Sequence, residues 1–311
     1  MQRMATDLSL SFLQNISVPR DIDYGGRHVF SVDVEEWFQV GAFERVIEKS
    51  DWDSLESRVE RQTDSLLALL SAKGTTATFF CLGWVAKRHP ALIRRLTAAG
   101  HEIACHGMDH RRLFTFTKQT FLTDVQDAKK LLEDTSGGPV TGYRAPSFSL
   151  RYDTDWAYDA LQEAGFGYSS SVYPIRHDHY GIPDAPRVPF FPLGSATEIV
   201  EIPMTSYHGL GRNWPASGGG YFRLLPYFLG AGLFEKAVKA NNAPGIFYMH
   251  PWEIDPGQPR VMQAPLLARF RHYVGQGRMA AKVSQLLASY DWGTARDVVL
   301  APLRANAGGQ L

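Results

Sequence analysis

The sequence has few cysteines, no long apolar run and no excess of charge of either sign, and each absence excludes a class of protein. Two cysteines are too few for a disulfide framework, and 32 basic side chains balance 32 acidic ones. No segment approaches the roughly 18 apolar residues of a membrane-spanning helix. Without net charge, neither nucleic acid nor an anionic bilayer suits the chain as its main partner unless charge is segregated locally, and we expect no basic stripe.

What is present is enough for a full-sized core: 311 residues, of which 44% are hydrophobic and 21% charged. The first twenty residues show no sustained apolar segment and no small-residue cleavage site, which favours a cytoplasmic protein without a signal peptide. Cys81 and Cys105 fall within predicted strands, where we expect small buried apolar side chains rather than a disulfide. The sequence is compatible with a homo-oligomer.

Seven short apolar runs have the length and composition of strands, and helical spacing separates most of them. The predicted strands are His28–Val34, Thr76–Leu82, Glu102–His106, Val140–Arg144, Gly167–Val172, Glu198–Pro203 and Gly245–His250. Helices are predicted over Ser54–Lys73, from Pro90 to Gly100, across Phe121–Leu132 and over Asp153–Ala164. Repeated strand and helix units indicate a parallel sheet covered by helices, and seven of them favour a closed or nearly closed barrel.

No linker rich in proline, glycine or serine divides the chain, so we interpret it as one α/β barrel domain with flanking segments. The predicted boundaries are an N-terminal segment over 1–27, the barrel over 28–273, and a C-terminal helix and tail over 274–311. The last helix is predicted near Met279–Tyr290, and the final residues are expected to fray.

Chemically capable side chains stand at the predicted ends of four strands. They are Asp33, Glu35, His106, Arg144 and His250. In barrels of alternating strands and helices, the active groups collect at the carboxyl ends of the strands. We therefore expect these five residues to share one mouth.

The spacing of His106 and His110 suits a divalent metal if the chain turns tightly after Gly107. Glu35 would complete a set of two histidines and one carboxylate, with positions left for water and substrate. Zn²⁺ is the first choice, and Co²⁺, Ni²⁺ or Fe²⁺ would also fit. Asp33 and Glu35 alternate along one strand and therefore face the same side. We assign Glu35 to the metal and Asp33 to the general base, and the reverse assignment stays open.

Other residues are assigned supporting roles. Arg144 is predicted to be a bidentate clamp on the base carboxylate, and His250 to be the proton donor to the leaving group, although a histidine after an apolar run also suits a core position. The glycine-rich stretch Ser217–Arg223 lacks the lysine of a phosphate cradle and is predicted to be a mobile rim loop that carries Tyr221. The predicted substrate-binding residues are Ser147, Tyr221 and Trp252. A second metal site at residues 177–179 is rejected because it lacks a third ligand.

Together these motifs resemble the polysaccharide deacetylase family with NodB homology, and more narrowly its branch beside exosortase-associated exopolysaccharide loci. The similarity runs from His28 to Tyr273 and is carried by Phe30–Phe38, His106–His110, Tyr143–Ser147 and Met249–His250. The resemblance implies a distorted, TIM-like (β/α)7 barrel with a C-terminal extension and a metal-dependent hydrolase. It also implies Asp33 as base, Glu35, His106 and His110 as metal ligands, His250 as acid, and an oxyanion held by the metal and a backbone amide near Ser147.

The chain departs from the family pattern at two places. Val34 separates Asp33 from Glu35 where most members have adjacent aspartates, and Ser169 stands where an aspartate is expected to support Arg144 or His250. We predict removal of acetyl groups, above all N-acetyl groups, from a glycan or a sugar-containing exopolysaccharide precursor. Two alternatives stay open: a non-catalytic glycan-binding barrel, and a hydrolase of a small non-sugar amide or imide.

Overall fold

A parallel sheet of eight strands forms the centre of the protein. The structure is a computed structural model that describes residues 16–178, 180–192 and 198–308, without the side chains of 307 and 308. The strands of the sheet are β1 (His28–Val34), β2 (Thr78–Cys81), β3 (Glu102–Cys105), β4 (Gly142–Tyr143), β5 (Tyr168–Ser169), β6 (Val200–Glu201), β9 (Ile246–Met249) and β10 (Trp292–Gly293). Two more, β7 (Ser206–Gly209) and β8 (Arg212–Pro215), form an antiparallel hairpin.

Helices cover the sheet. The α-helices are α1 (Val59–Ser71), α2 (Gly83–Arg88), α3 (Pro90–Ala98), α4 (Lys118–Ser136), α5 (Trp156–Glu163), α6 (Gly219–Leu224), α7 (Tyr227–Asn241), α8 (Leu266–Tyr273), α9 (Gln276–Ser289) and α10 (Ala301–Gly308). Short 3₁₀ turns cover Lys49–Ser54, Leu113–Thr115, Pro146–Phe148, Tyr152–Thr154 and Pro251–Ile254, and Arg296–Leu300 is a π-helical turn. In the parts of the chain described, no helix is both long and apolar enough to cross a bilayer.

The strands form because their residues are buried on both faces. All seven residues of β1 are buried, including Phe30 and Val32, and the four residues of β2 are buried as well. Such two-sided burial is typical of a parallel sheet between helices. In α4, Phe121, Val125, Ala128 and Leu132 are buried at intervals of three and four, so one stripe of the helix faces the sheet.

The sheet curves into an open barrel. β1 pairs with β9 on one side and with β2 and β10 on the other, and the order then runs through β3, β4 and β5 to β6. No pairing joins β6 to β9 among the strands of the described ranges, so the barrel stays open there. The predicted α/β barrel is confirmed in this half-barrel form, and a strand is present within each of the seven predicted ranges.

Helices α2 and α7 were not predicted from the sequence, and neither were three strands: β10 and the two strands of the hairpin. β10 lies in the predicted C-terminal segment, yet it pairs with the first residues of β1 and packs Trp292 against Phe30, 5.6 Å between ring centres. Two residues are too short a run for a periodic signal. The hairpin turns at Leu210 and Gly211, both with positive φ, and a leucine there is an unusual turn residue.

Two smaller predictions can be compared with these elements. Cys81 and Cys105 are buried free thiols, as predicted. The mobile rim loop is wrong: residues 219–224 form α6, a short ordered helix. The prediction for residues 1–15 lies outside the described residues, and so does the His179 part of the rejected second metal site.

Candidate metal centre and active site

The parallel register brings the predicted site residues into one row. Val34 is paired with Cys81, Cys81 with Cys105, and Cys105 with Tyr143. The next residues along β1, β3 and β4 are therefore neighbours at the rim, the carboxyl ends of the strands: Glu35, His106 and Arg144. Val32 is paired with Met249, which places His250 beside Asp33. Residues more than 200 positions apart thus share one end of the barrel because adjacent parallel strands end together.

Glu35, His106 and His110 form the candidate metal centre. One ligand atom from each lies within 4.8 Å of the other two. Among the described residues, these three form a cluster of side chains that could hold a metal ion. The turn that returns His110 to His106 has positive φ at Gly107 (78°) and at His110 (60°). Asp124 of α4 accepts a hydrogen bond from the Met108 amide (3.1 Å) and anchors the turn. A histidine in the left-handed region is uncommon, and such strain concentrates at functional sites.

His106 is prepared as a neutral ligand. Its Nδ1 lies 2.8 Å from the carbonyl oxygen of Arg144, which can only accept a hydrogen bond, so Nδ1 carries the proton and Nε2 keeps its lone pair. The same contact explains why β4 ends at Tyr143. The Arg144 carbonyl accepts its hydrogen bond from the His106 side chain instead of from a neighbouring strand. Burial, against the attraction of Asp33, lowers the pKa of His106 to about 4.

Glu35 supplies an ionised oxygen. Burial raises its pKa, but the imidazoles of His110, His250 and His106 outweigh burial, and the resulting pKa is about 2. Its Oε1 accepts from Trp252 Nε1 (3.2 Å). Within the described ranges its buried Oε2 has no partner that meets the geometry of a hydrogen bond, and His110 Nε2 lies 2.8 Å away. With His106, these atoms form a donor set of two nitrogens and one oxygen, which fits a divalent metal.

Asp33 is held by Arg144. Arg144 Nη1 donates to Asp33 Oδ1 (2.6 Å) and to Ser31 Oγ, while Nε and Nη2 donate to the carbonyl oxygen and hydroxyl of Ser170. Its guanidinium lies over the ring of Phe80, 4.0 Å from the centre, and is fully buried. The predicted bidentate clamp is wrong in one respect: the arginine contacts one oxygen of Asp33. Its other donors are used by Ser31 and Ser170, and Asp33 Oδ2 is left facing His250 Nε2 at 3.9 Å.

His250 is oriented by a carboxylate that we did not predict. Its Nδ1 lies 2.8 Å from Glu253 Oε1, and Arg223 Nε donates to Glu253 Oε2 (2.7 Å) in a fully buried pair. Burial lowers the pKa of His250, whereas the carboxylates of Glu35, Glu253 and Asp33 raise it, to about 9. Glu253 therefore occupies the supporting role that we looked for at Ser169. The acid three residues after His250 was the available signal, since a single turn brings such a pair together.

Ser169 itself is part of a buried hydroxyl cluster. Its hydroxyl donates to Ser171 Oγ (2.8 Å), and Ser171 accepts the Ala145 amide. Glu201 Oε1 accepts the amides of Ser171 and Val172. The serine at this position thus supports the backbone after β4 and β5 rather than Arg144 or His250.

The three predicted substrate residues have different positions. Ser147 lines the cavity at the metal centre, about 230 Å³ in volume, with a left-handed φ of 55°. Trp252 lines it too, but its ring is stacked between His250 (4.9 Å) and His272 (4.3 Å) and is 6% exposed, so its face is not free for a sugar. Tyr221 does not line this cavity; Tyr180 does, and the two tyrosines share a hydrogen bond.

Comparison with known proteins agrees with this arrangement. Residues 52–168 match the family model described as polysaccharide deacetylase. This match identifies residues 52–168 as a polysaccharide deacetylase domain. Residues 170–300 match a second model, a domain of unknown function, DUF3473. The deacetylase match contains His106, His110 and Arg144, whereas Asp33 precedes it and His250 lies in the second match.

Curated relatives resemble part of this chain. A peptidoglycan-N-acetylglucosamine deacetylase of Bacillus cereus is 31% identical over 104 residues, 33% of this chain and 47% of that protein. A chitooligosaccharide deacetylase of Sinorhizobium fredii is 37% identical over 70 residues, 22% of this chain and 33% of that protein. The matches therefore span half or less of the relatives' own length.

Solved structures share the fold over nearly the whole chain. A protein from Mycobacterium smegmatis assigned to the polysaccharide deacetylases has a TM-score of 0.59 at 18% identity and covers 94% of each chain. Puue allantoinase has a TM-score of 0.57 at 17% identity and covers 93% of this chain and 98% of its own. At these identities the likeness shows the barrel and nothing of the reaction.

Proposed function

We propose that this protein hydrolyses acetyl groups, above all N-acetyl groups, on a carbohydrate or exopolysaccharide precursor. One observation carries the proposal: a single cavity is lined by the metal trio, by Asp33 and by His250. The family match and the names of the curated relatives support a sugar substrate.

Glu35, His106 and His110 would hold the metal. Two imidazoles and one carboxylate fit Zn²⁺ first, and Co²⁺, Ni²⁺ or Fe²⁺ as well. When bound, such an ion supplies Lewis acidity at the acetyl carbonyl and makes a water molecule easier to deprotonate. We assign Glu35 rather than Asp33 to the metal because Glu35 has the buried oxygen without a hydrogen bond, whereas Arg144 occupies one oxygen of Asp33.

Asp33 would act as the general base. Arg144 fixes Oδ1 and leaves Oδ2 toward the cavity, so the carboxylate has one defined direction from which it accepts the proton of the attacking water. Arg144 contacts no reacting atom in this scheme. It is a positioning residue that fixes the direction of the Asp33 carboxylate.

His250 would act as the general acid. Glu253 holds Nδ1, so Nε2 faces the cavity, 3.6 Å from Glu35 Oε1 and 3.9 Å from Asp33 Oδ2. From there Nε2 would give its proton to the departing sugar nitrogen. The products are acetate and a free amine.

The oxyanion needs a donor as well as the metal, and we assign the backbone amide of Ser147. Within the described residues this N–H makes no hydrogen bond, and Ser147 lines the cavity directly after Pro146. A backbone donor held by a turn needs no reorganisation during the reaction.

The test is acetate release from N-acetylglucosamine oligomers by metal-loaded protein and by Asp33→Asn. We expect the variant to keep its metal and to lose at least a hundredfold in rate, because a general base supplies about 10²–10⁴. Asp134→Asn, on the exposed face of α4, is the matched control and should match wild type. Undiminished turnover by Asp33→Asn contradicts the assigned roles.

The same assay separates the two alternatives. Bound metal without acetate release from any acetylated oligosaccharide favours a non-catalytic glycan-binding barrel. Turnover of cyclic imides or small amides, but not of sugars, favours a hydrolase of a small non-sugar amide or imide. The native metal, the exosortase-associated branch, the cytoplasmic location and the oligomeric state stay predictions.

A further inference from the structure

Helix α8 presents an apolar face to solvent beside the cavity. Leu266, Leu267 and Phe270 lie on one face, at spacings of three and four, and Met262 precedes the helix. These four side chains are between 56% and 79% exposed. We name them, together with Arg260, Arg269 and Arg271, the α8 surface. Exposed apolar groups that are contiguous mark an interaction site more often than single ones do.

The segment that contains this face carries charge of one sign along the sequence. Residues 256–290 contain no aspartate or glutamate and five basic residues: Arg260, Arg269, Arg271, Arg278 and Lys282. None of the five forms an ion pair with a carboxylate in the described part of the chain. The neutral total therefore conceals a local basic segment, and our expectation of no basic stripe is wrong.

The cations lie at the edge of the apolar face. Arg269 Nη2 contacts Met262 Sδ at 3.0 Å, and the Arg260 guanidinium lies 4.2 Å from the centre of the Tyr273 ring. This arrangement of exposed apolar side chains flanked by arginines is typical of a helix that lies in a membrane interface.

The surface adjoins the cavity at the metal centre. Arg271 and His272 of α8 both line that cavity, and His272 is buried against Trp252. The helix is thus fixed to the site by its last turn, while its apolar face points outward. Whatever covers the α8 surface also lies beside the mouth of the cavity.

We propose that the α8 surface docks on an anionic lipid bilayer. A second copy of this chain is disfavoured, because a twofold interface would bring like cations together. Nucleic acid is disfavoured because the centre of the surface is apolar. An anionic bilayer satisfies both parts: its headgroups attract the arginines and its acyl boundary accepts the leucines and Phe270. The proposal depends on the surface alone, and docking is measured without turnover.

The test is flotation of the full chain with vesicles of phosphatidylcholine alone or mixed with phosphatidylglycerol. We expect binding to the anionic vesicles and weaker binding at high salt, because salt screens the attraction between the arginines and the lipid headgroups. The variant Leu266→Ser/Leu267→Ser/Phe270→Ser should lose at least tenfold in affinity. Arg260→Gln/Arg269→Gln should lose roughly thirtyfold, from two arginines near an anionic surface.

Leu210→Ser is the matched control, because Leu210 is an exposed leucine on the hairpin between β7 and β8. It should bind vesicles as wild type does. The triple serine variant should keep the circular dichroism spectrum of wild type, which shows that the barrel is folded. Equal binding to both vesicle types, or unchanged binding by the serine variant, overturns the proposal. So does a serine variant that changes only the oligomeric state, since the occupant would then be a second copy.

Discussion

Two regions build the site in different ways. Residues 52–168, which match the deacetylase model, contribute His106, His110 and Arg144 from the ends of paired strands. Residues 170–300, which match DUF3473, contribute His250 through a chain of buried side chains, Arg223 to Glu253 to His250. In the first region the sheet register places the chemistry, and in the second region side-chain pairs orient it.

The glycine-rich stretch Ser217–Arg223 contributes to the side-chain support of His250 in the second region. A methyl group on Gly219 would overlap the Glu253 carboxylate, whereas one on Gly220 would meet open space. Gly219 therefore allows close approach of α6 to Glu253, the residue that orients His250. The difference between the regions predicts distinct failures: loss of metal in the first, and loss of turnover with metal retained in the second.

The largest effect is expected from His106→Ala. Removal of a metal ligand should lower metal affinity by more than the 10–100-fold typical of an outer partner, and activity should disappear with the metal. Elemental analysis of purified protein measures this directly. His208→Ala, at an exposed position on the hairpin, should retain wild-type metal content. A His106→Ala protein with full metal content would remove His106 from the centre.

Glu253→Gln should separate the effect on turnover, which the second region controls, from the effect on metal binding, which the first region controls. We expect metal content near wild type and a fall in kcat of roughly tenfold to a hundredfold, because His250 loses the charge that orients it and favours its protonated form. KM should change little, since Glu253 does not line the cavity. Because the variant leaves Arg223 buried without its carboxylate, circular dichroism must show a folded protein. A loss of metal equal to that of His106→Ala would contradict the separation.

A smaller effect is expected from Gly219→Ala. The added methyl group should displace Glu253 and lower kcat by about tenfold, with metal retained, as a misplaced acid costs rate without abolishing binding. Gly220→Ala adds the same group one residue later and should match wild type. Equal rates for the two variants would show that α6 does not position Glu253.

The smallest effect concerns stability in the first region. Burial lowers the pKa of His101, whose Nδ1 accepts the Ala77 amide, from 6.5 to about 4. The unfolded chain therefore binds the proton more readily, so the stabilisation is present above pH 6.5 and is lost as the pH falls toward 4. His101→Gln should flatten the fall of the unfolding free energy across that window and leave kcat unchanged. Identical slopes for variant and wild type, from urea melts, would contradict this.

Much of the fold follows from local pattern. The seven apolar runs predicted seven strands because two-sided burial leaves a nearly continuous apolar run. Strands without such a run were missed: β10 has two residues, and the hairpin strands Ser206–Gly209 and Arg212–Pro215 contain no apolar run. The open edge between β6 and β9 depends on how far the strands twist and diverge across the whole sheet. The apolar run of any one strand does not indicate this twist.

For the site, the sequence by itself determined which groups are available and that they follow strand ends, because parallel strands present their carboxyl ends at one rim. Only the tertiary structure decided which group supports which: that Arg144 contacts one oxygen of Asp33, that Ser169 supports neither Arg144 nor His250, and that Trp252 packs between two histidines. These choices depend on side-chain contacts between segments up to about two hundred residues apart. Such contacts depend on how far apart the folded backbone places two segments and on where their side chains point. The spacing of residues along the sequence gives neither the distance nor the direction.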